Sequence, residues 1–190
     1  MKYFQIAQAF KNKGIGLFTT GDFKQLTGMS QKSAWAALGR YHQKGLIESP
    51  KRGWYYFTDT PPDDYLLANK LFAPSYISFE TALAYHSIIP EVVYSIISAT
   101  TKKTRKFIHK GKAFKYLKIK TNCFTGYFKK ETHLIADQEK ALVDYLYFVA
   151  LGKKKLNDRL DLANLNIKKV KKYANLFQKK KLNQLIKKLC

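Results

Sequence analysis

Between residues 17 and 57 the sequence supplies a strand, two helices and a hairpin with almost nothing between them, an order that leaves few folds open. Leu17-Phe18-Thr19 reads as a short strand. Thr20 can cap a brief helix over Gly21 to Leu26, because a Thr hydroxyl accepts from the free amides of a helix start. Thr27-Gly28-Met29 makes a tight turn, and Ser30 caps a longer helix from Gln31 to Lys44, after which Gly45 can take the left-handed C-terminal conformation. Leu46-Ile47-Glu48-Ser49 and Trp54-Tyr55-Tyr56-Phe57 are the strands of a hairpin, with Pro50-Lys51-Arg52-Gly53 as a basic tip. A first helix from Tyr3 to Asn12 precedes them, with either Phe4, Ala7 and Phe10 or Ile6 and Ala9 turned inward and Gly14 at its end. Together these elements predict a winged helix-turn-helix over residues 1–58.

On the longer helix, Ala34, Leu38 and Tyr41 are spaced three and four apart and so share an inner face. The opposite face carries Lys32, Ala36 and Gln43, flanked by Gln31, Ser33, Trp35 and Arg40, with the Ser30 cap at its start. Small, amide, hydroxyl and cationic groups of this kind read base edges and hold phosphates, and Lys51 and Arg52 on the wing add a second basic contact. Winged helices also dock proteins, which would leave that face solvated. Trp35 has two readings as well: a base contact, or a ring that closes the core against the wing.

The charge balance points the same way. Of 190 residues, 35 are Lys or Arg and 13 Asp or Glu, a formal net charge of +22, far beyond what solubility requires. Residues 1–64 hold +4 of this and residues 65–190 the remaining +18. The length allows two domains, and the boundary falls at residues 59–64, where Pro61-Pro62 blocks regular structure and acidic residues interrupt the basic background. Cys123 and Cys190 belong to no metal or redox spacing, and they are expected as free thiols in a reducing cytoplasm. No stretch reaches the apolar length of a membrane span, and the start lacks the apolar core of a signal sequence.

Residues 65–190 mix element types. A helix over Asp64 to Leu71 leads to an extended Pro74-Ser75-Tyr76-Ile77-Ser78, then to a helix from Phe79 to His86 with Ser78 as its cap. Val93–Ser98, Lys106–His109, Ala113–Ile119 and Cys123–Phe128 read as strands, with Lys110-Gly111-Lys112 as a turn. Asp137 can cap a helix whose apolar stripe includes Ala141, Leu142, Tyr145, Leu146, Phe148 and Val149. The whole predicts an α+β chain: the winged domain, then a domain with a mainly antiparallel sheet and a helical C-terminal region. Lys102, Lys103, Arg105, Lys106, Lys110 and Lys112 form a second basic stretch on a strand-turn-strand unit, able to hold flanking DNA or RNA. From Leu160 two amphipathic helices follow, and residues 152–190 carry a local +11 that would attract phosphate backbone without reading sequence.

An enzyme would need carboxylates, and Asp137-Gln138-Glu139-Lys140 has the composition of a metal-dependent nuclease cluster. Asp137 and Glu139 also stand where acidic groups favour a helix start, which is sufficient reason for both. The four histidines have no partner at metal spacing, and no Ser or Cys has a nucleophile context, so no catalytic residue, metal or cofactor is assigned.

Two stretches of the second half resemble a known family. Tyr76-Ile77-Ser78-Phe79-Glu80-Thr81-Ala82-Leu83-Ala84-Tyr85-His86, with Ile89-Pro90-Glu91 and Ser98-Ala99-Thr100-Thr101-Lys102-Lys103-Thr104-Arg105 after it, resembles the body of AbiEi-type antitoxins of type IV toxin-antitoxin, or abortive infection, systems. Ala136-Asp137-Gln138-Glu139-Lys140-Ala141-Leu142-Val143-Asp144 is similar to that family's Ala-x-Pro-Glu-Lys-Ala-Leu-x-Asp segment, with Gln138 in place of Pro. The likeness runs from about residue 3 to residue 150 and leaves the Lys-rich end unmatched.

The resemblance implies a cytoplasmic antitoxin active in phage defence that represses its own operon. Its winged domain would bind inverted repeats in promoter DNA, with Gln31, Lys32, Ser33, Trp35, Ala36 and Arg40 at the major groove and Lys51 and Arg52 on phosphates or in the minor groove. It would counteract a nucleotidyltransferase-like toxin, a functional partner without a stable complex, and its C-terminal domain could compete for the toxin's RNA. A stand-alone winged-helix regulator with no toxin partner is the alternative, and a nuclease the third.

Overall fold

The computed structural model describes residues 2–189. The chain divides between Asp63 and Asp64 into two compact units.

The first unit contains α1 (Tyr3–Asn12), β1 (Phe18–Thr19), α2 (Thr20–Thr27), α3 (Gln31–Gln43), β2 (Ile47–Lys51) and β3 (Trp54–Phe57). Its three strands form an antiparallel sheet in the order β1-β3-β2. Ile6 and Phe10, one turn apart on α1, are the residues of that helix that bury, whereas Phe4 is 75 % exposed. Phe10 meets Phe18 at 4.4 Å between ring centres, and Phe18 meets Phe57 at 5.0 Å. Ala34, Ala37 and Leu38 close this aromatic core from α3.

Thr19, not Thr20, caps α2. Its backbone is extended, and Asp22 stands three residues on, so the two bond reciprocally: the Asp22 amide donates to Thr19 Oγ1 (3.1 Å) and the Thr19 amide to Asp22 Oδ2 (2.7 Å). The hairpin strand also runs further than expected, through Pro50 to Lys51, leaving Arg52-Gly53 as the tip. The register shifts between Glu48 and Lys51, an irregularity that accommodates a residue with no amide hydrogen to give. Thr58 Oγ1 donates to the carbonyls of Gly45 and Leu46, which ties the start of the expected linker back onto the first unit.

The second unit contains α4 (Asp64–Leu71), β4 (Ser75–Ile77), α5 (Phe79–Tyr85), β5 (Ile96–Thr100), β6 (Arg105–His109), β7 (Lys112–Lys118), a 3-10 turn (Thr121–Cys123), β8 (Tyr127–Lys130), β9 (His133–Ala136), α6 (Gln138–Ala150), α7 (Ile167–Phe177) and α8 (Lys180–Leu189). The strands form one mixed sheet in the order β6-β7-β5-β4-β9-β8. The β5–β7 and β4–β9 pairs are parallel and the other three antiparallel. β4 and β5 are buried at every position, because the sheet centre is covered on both faces. The strand expected from Cys123 begins instead at Tyr127, and β9 was not anticipated. Among the described residues the chain is thus an α+β protein with eight α-helices.

Val170, Ala174 and Phe177 of α7 and Leu182 and Ile186 of α8 are buried, so the lysine-rich end is two docked helices that complete the core. Cys123 is a buried free thiol, its pKa raised by burial, while Cys190 lies outside the described residues. No described helix is long and apolar enough to cross a membrane.

Candidate nucleic-acid interface

The polar face of α3 is presented by the turn before it. α2 ends at Gly28, whose φ of +69° is the left-handed conformation a tight turn needs, and Ser30 Oγ then accepts from the Ser33 amide at 3.2 Å to start α3. With Ala34, Ala37 and Leu38 inside, Gln31, Lys32, Ser33, Ala36, Arg40 and Gln43 all remain exposed, as does the Ser30 cap. Trp35 is 61 % exposed and stands outside the core, so it does not close the core against the hairpin. Lys51, the last residue of β2, and Arg52 at the hairpin tip are both exposed. These ten residues therefore lie on one helix, its cap and the hairpin that follows, on the surface of a unit whose core is apolar. Such an arrangement can neutralise phosphates with Lys32, Arg40, Lys51 and Arg52 while Gln31, Ser33 and Ala36 meet base edges.

The second basic stretch, in the other unit, does not form one surface. Along β6, side chains alternate, so Arg105 and Lys106 project to opposite faces of the sheet. Arg105 lies over the rings of Phe72 and Phe107, at 5.9 and 5.3 Å from their centres. Lys102 donates to the Ala73 carbonyl at 2.6 Å and lies 5.5 Å from the centre of the Phe72 ring. Lys112, half-buried, pairs with Asp64, since the first turn of α4 brings that carboxylate to the start of β7. Lys103, Lys106 and Lys110 are exposed.

The acidic and lysine residues around Asp137 are turned inward. Asp137 Oδ1 accepts from the Lys140 amide (2.8 Å), as a helix cap does, and its Oδ2 accepts from Tyr173 (2.7 Å) and Lys169 (3.1 Å). Glu139 accepts from the Asn166 amide and the Gln138 side chain and pairs with Lys169 at 3.0 Å. Burial pushes the Glu139 carboxyl up, but these donors outweigh it and hold it below the usual carboxylate range. Lys140 and Asp144, both fully buried, form an ion pair one helical turn apart. Asp144 Oδ2 accepts from Tyr76 Oη and Ser78 Oγ, each at 2.8 Å. Ser78 was expected to cap α5; its side chain makes no cap bond and serves Asp144 instead. Burial, then Asp144, raise the Tyr76 phenol well above its ordinary value, and Tyr173 is pushed up to about 12 by burial and Asp137. Among the described residues no three His, Cys, Asp or Glu side chains converge as a metal site.

Gln138, which stands where the antitoxin pattern has Pro, uses its amide to reach Glu139 and the Asn164 carbonyl at 3.2 Å. The sequence carried one signal of this cluster, a Lys and an Asp four apart within an apolar stripe. Tyr76 and Ser78, separated from Asp144 by 68 and 66 residues, carried none.

The chain matches no protein-family model and no curated protein.

Proposed function

We propose that this protein is a DNA-binding transcriptional regulator of the AbiEi antitoxin type, with its first unit acting as a winged helix-turn-helix. The observation that carries the reading is the exposure of Gln31, Lys32, Ser33, Ala36 and Arg40 on one helix held by a short turn, followed by a hairpin with a basic tip. In this reading α3 enters the major groove, and Lys51 at the end of β2 and Arg52 at the tip hold the flanking backbone. The net charge of +22 adds a salt-dependent affinity that is independent of sequence. The antitoxin part rests on the sequence resemblance: the protein represses its own operon in the cytoplasm and counteracts a nucleotidyltransferase-like toxin.

The test is a footprint of the full chain on its own upstream DNA at two salt concentrations, beside Arg40→Ala and Lys32→Ala. Protection of paired inverted repeats is expected, with each variant binding about tenfold to a hundredfold more weakly. Uniform coating that fades with salt, equally for wild type and variants, would overturn sequence-specific reading. Rescue of cell growth on co-expression with the toxin encoded beside it then tests the antitoxin part, and failure to rescue leaves a stand-alone regulator.

A further inference from the structure

Residues 162–190 contain nine lysines and no Asp or Glu, so the α7–α8 pair has no carboxylate side chain of its own. Its inner side is Val170, Ala174 and Phe177 on α7 and Leu182 and Ile186 on α8, and helical spacing then sets what lies outside. Lys168, Lys171, Lys172 and Asn175 stand at i, i+3, i+4 and i+7 along α7, and Lys180, Gln184 and Lys187 at i, i+4 and i+7 along α8; all seven are exposed. Lys169 is turned the other way, to Asp137 and Glu139. None of the five exposed lysines in these two stripes pairs with an acidic side chain of the described residues.

The stripes meet at a groove of about 150 Å³ between the two helices. Lys171 and Asn175 line it from α7, Lys187 and Asn183 from α8, and the buried Ala174 and Ile186 lie beneath. Two ammonium groups brought to one groove repel each other, and the fold places no carboxylate between them. An anion seated there removes that repulsion and accepts charge-assisted hydrogen bonds from both, with the two Asn amides as further donors.

What the surface lacks identifies the carrier of that anion. The apolar faces of both helices are taken by the core, and neither helix has a large hydrophobic side chain among the exposed ones. Nothing is left to enter a bilayer, and no aromatic or aliphatic anchor is offered of the kind that centres a protein interface. Cations and side-chain amides without such an anchor complement the backbone of a nucleic acid, whose phosphates take Lys and Asn contacts.

We infer that the α7–α8 groove and the lysines beside it grip the phosphodiester backbone of a double helix without reading its sequence, as a contact of the second unit separate from α3. The same chemistry is presented by DNA and RNA duplexes.

Titration of the full-length protein with a duplex unrelated to its own upstream DNA, made as DNA and as RNA, over a series of salt concentrations tests this. Replacing Lys168, Lys171, Lys172 and Lys187 by Gln should lower the slope of log affinity against log salt by about 2–4 and weaken binding at low salt at least about tenfold, on the duplex that the protein prefers. Replacing Lys103, Lys106, Lys115 and Lys118, which are also exposed, removes the same charge from the β6–β7 region and should lower the slope by less than about 1. Unchanged thermal midpoints check that both variants fold. Asn175→Asp gives the groove an anion of its own one turn from Lys171, and it should weaken binding about threefold to tenfold, more than Lys106→Gln does, although each changes the net charge by one. The difference between the two four-lysine variants should persist when Lys32→Ala and Arg40→Ala are added, so it is separable from the role of α3. Loss of binding confined to the α3 variants keeps the reading of the first unit and overturns the groove. Equal slopes in the two four-lysine variants overturn it as well, by assigning the affinity to the general polycation. Binding to phosphatidylserine vesicles but not to either duplex, lost in the groove variant, would assign the surface to a membrane and overturn the nucleic-acid contact.

Discussion

No Lys, Arg, His, Asp or Glu among the described residues of the first unit is buried, and its interior is a set of aromatic rings closed by Ile6, Ile47, Leu38 and two alanines. The second unit seals Lys140, Asp144 and Glu139 inside and arranges Tyr76, Ser78, Tyr173 and the Asn166 amide around them. An apolar core is satisfied by volume and shape, so it tolerates changes that keep both. A charged core is satisfied only when every donor and acceptor has its partner, and losing one partner leaves the others uncompensated. The first unit can therefore keep its ionic groups for what lies outside, whereas the second uses some of them to fix how its own elements meet. Lys140 and Asp144 hold α6 to β4, and Glu139 and Asp137 hold α6 to α7.

The sharpest way to break this contrast is Asp144→Ala. With Lys140 left charged and unpaired and two hydroxyls without an acceptor, the second unit should lose about 3–5 kcal/mol, read by circular dichroism in a urea titration. Trp35 and Trp54 both belong to the first unit, so their fluorescence follows that unit and should keep its midpoint. Lys140→Met combined with Asp144→Leu should cost less than Asp144→Ala alone; an equal or greater cost would mean that packing, not charge pairing, governs this core. Next in size is Gly126→Ala. Gly126 has a φ of +75°, and a Cβ there would lie 2.7 Å from Tyr173 Cζ and 2.9 Å from Lys140 Cγ. Strain and clash together should cost about 2–3 kcal/mol. The same change at Gly28 on the first unit, where a Cβ meets nothing within 4 Å, should cost only the conformational part.

The smallest effect is a pH dependence. Tyr173 ionises at about 12 in the folded protein against an ordinary 10.0, so the stability it contributes is complete below pH 10 and is lost as pH rises towards 12. Tyr173→Phe should flatten that alkaline loss in a pH series of thermal midpoints. An unchanged slope would remove Tyr173 from the polar core's account of alkaline sensitivity.

The same contrast decides what could be read from the sequence. α3 was legible because everything that makes it is local: the Ser30 cap, the inward Ala34 and Leu38, and Gly45 to stop it. The exposed polar face followed by subtraction. α6 and its Asp137 cap were legible for the same reason. β9 was not, because His133-Leu134-Ile135-Ala136 is four residues without alternation, and all four pair with β8, whose own start falls at Tyr127 rather than at the expected Cys123. The cap of α2 was misplaced by one residue because Thr19 and Thr20 are chemically alike and the reciprocal Asp22 bond chooses between them. The groove between α7 and α8 had no sequence signal beyond its lysines, since it depends on how the two helices pack against each other.

The placement of Phe177, Leu182 and Ile186 in the second core has a consequence for synthesis. A ribosome completes every contact of the first unit's core once residue 57 has emerged, so that unit can fold while translation continues. The second cannot cover its buried lysine until α7 brings Tyr173 and Phe177, and it gains α8 only after that. A message or nascent chain cut anywhere after residue 64 and before residue 167 would release a folded first unit joined to an open, cationic and aggregation-prone remainder. Such a product would display the exposed α3 face without a closed second core, which makes the docking of α7 and α8 a checkpoint on the quality of the second unit.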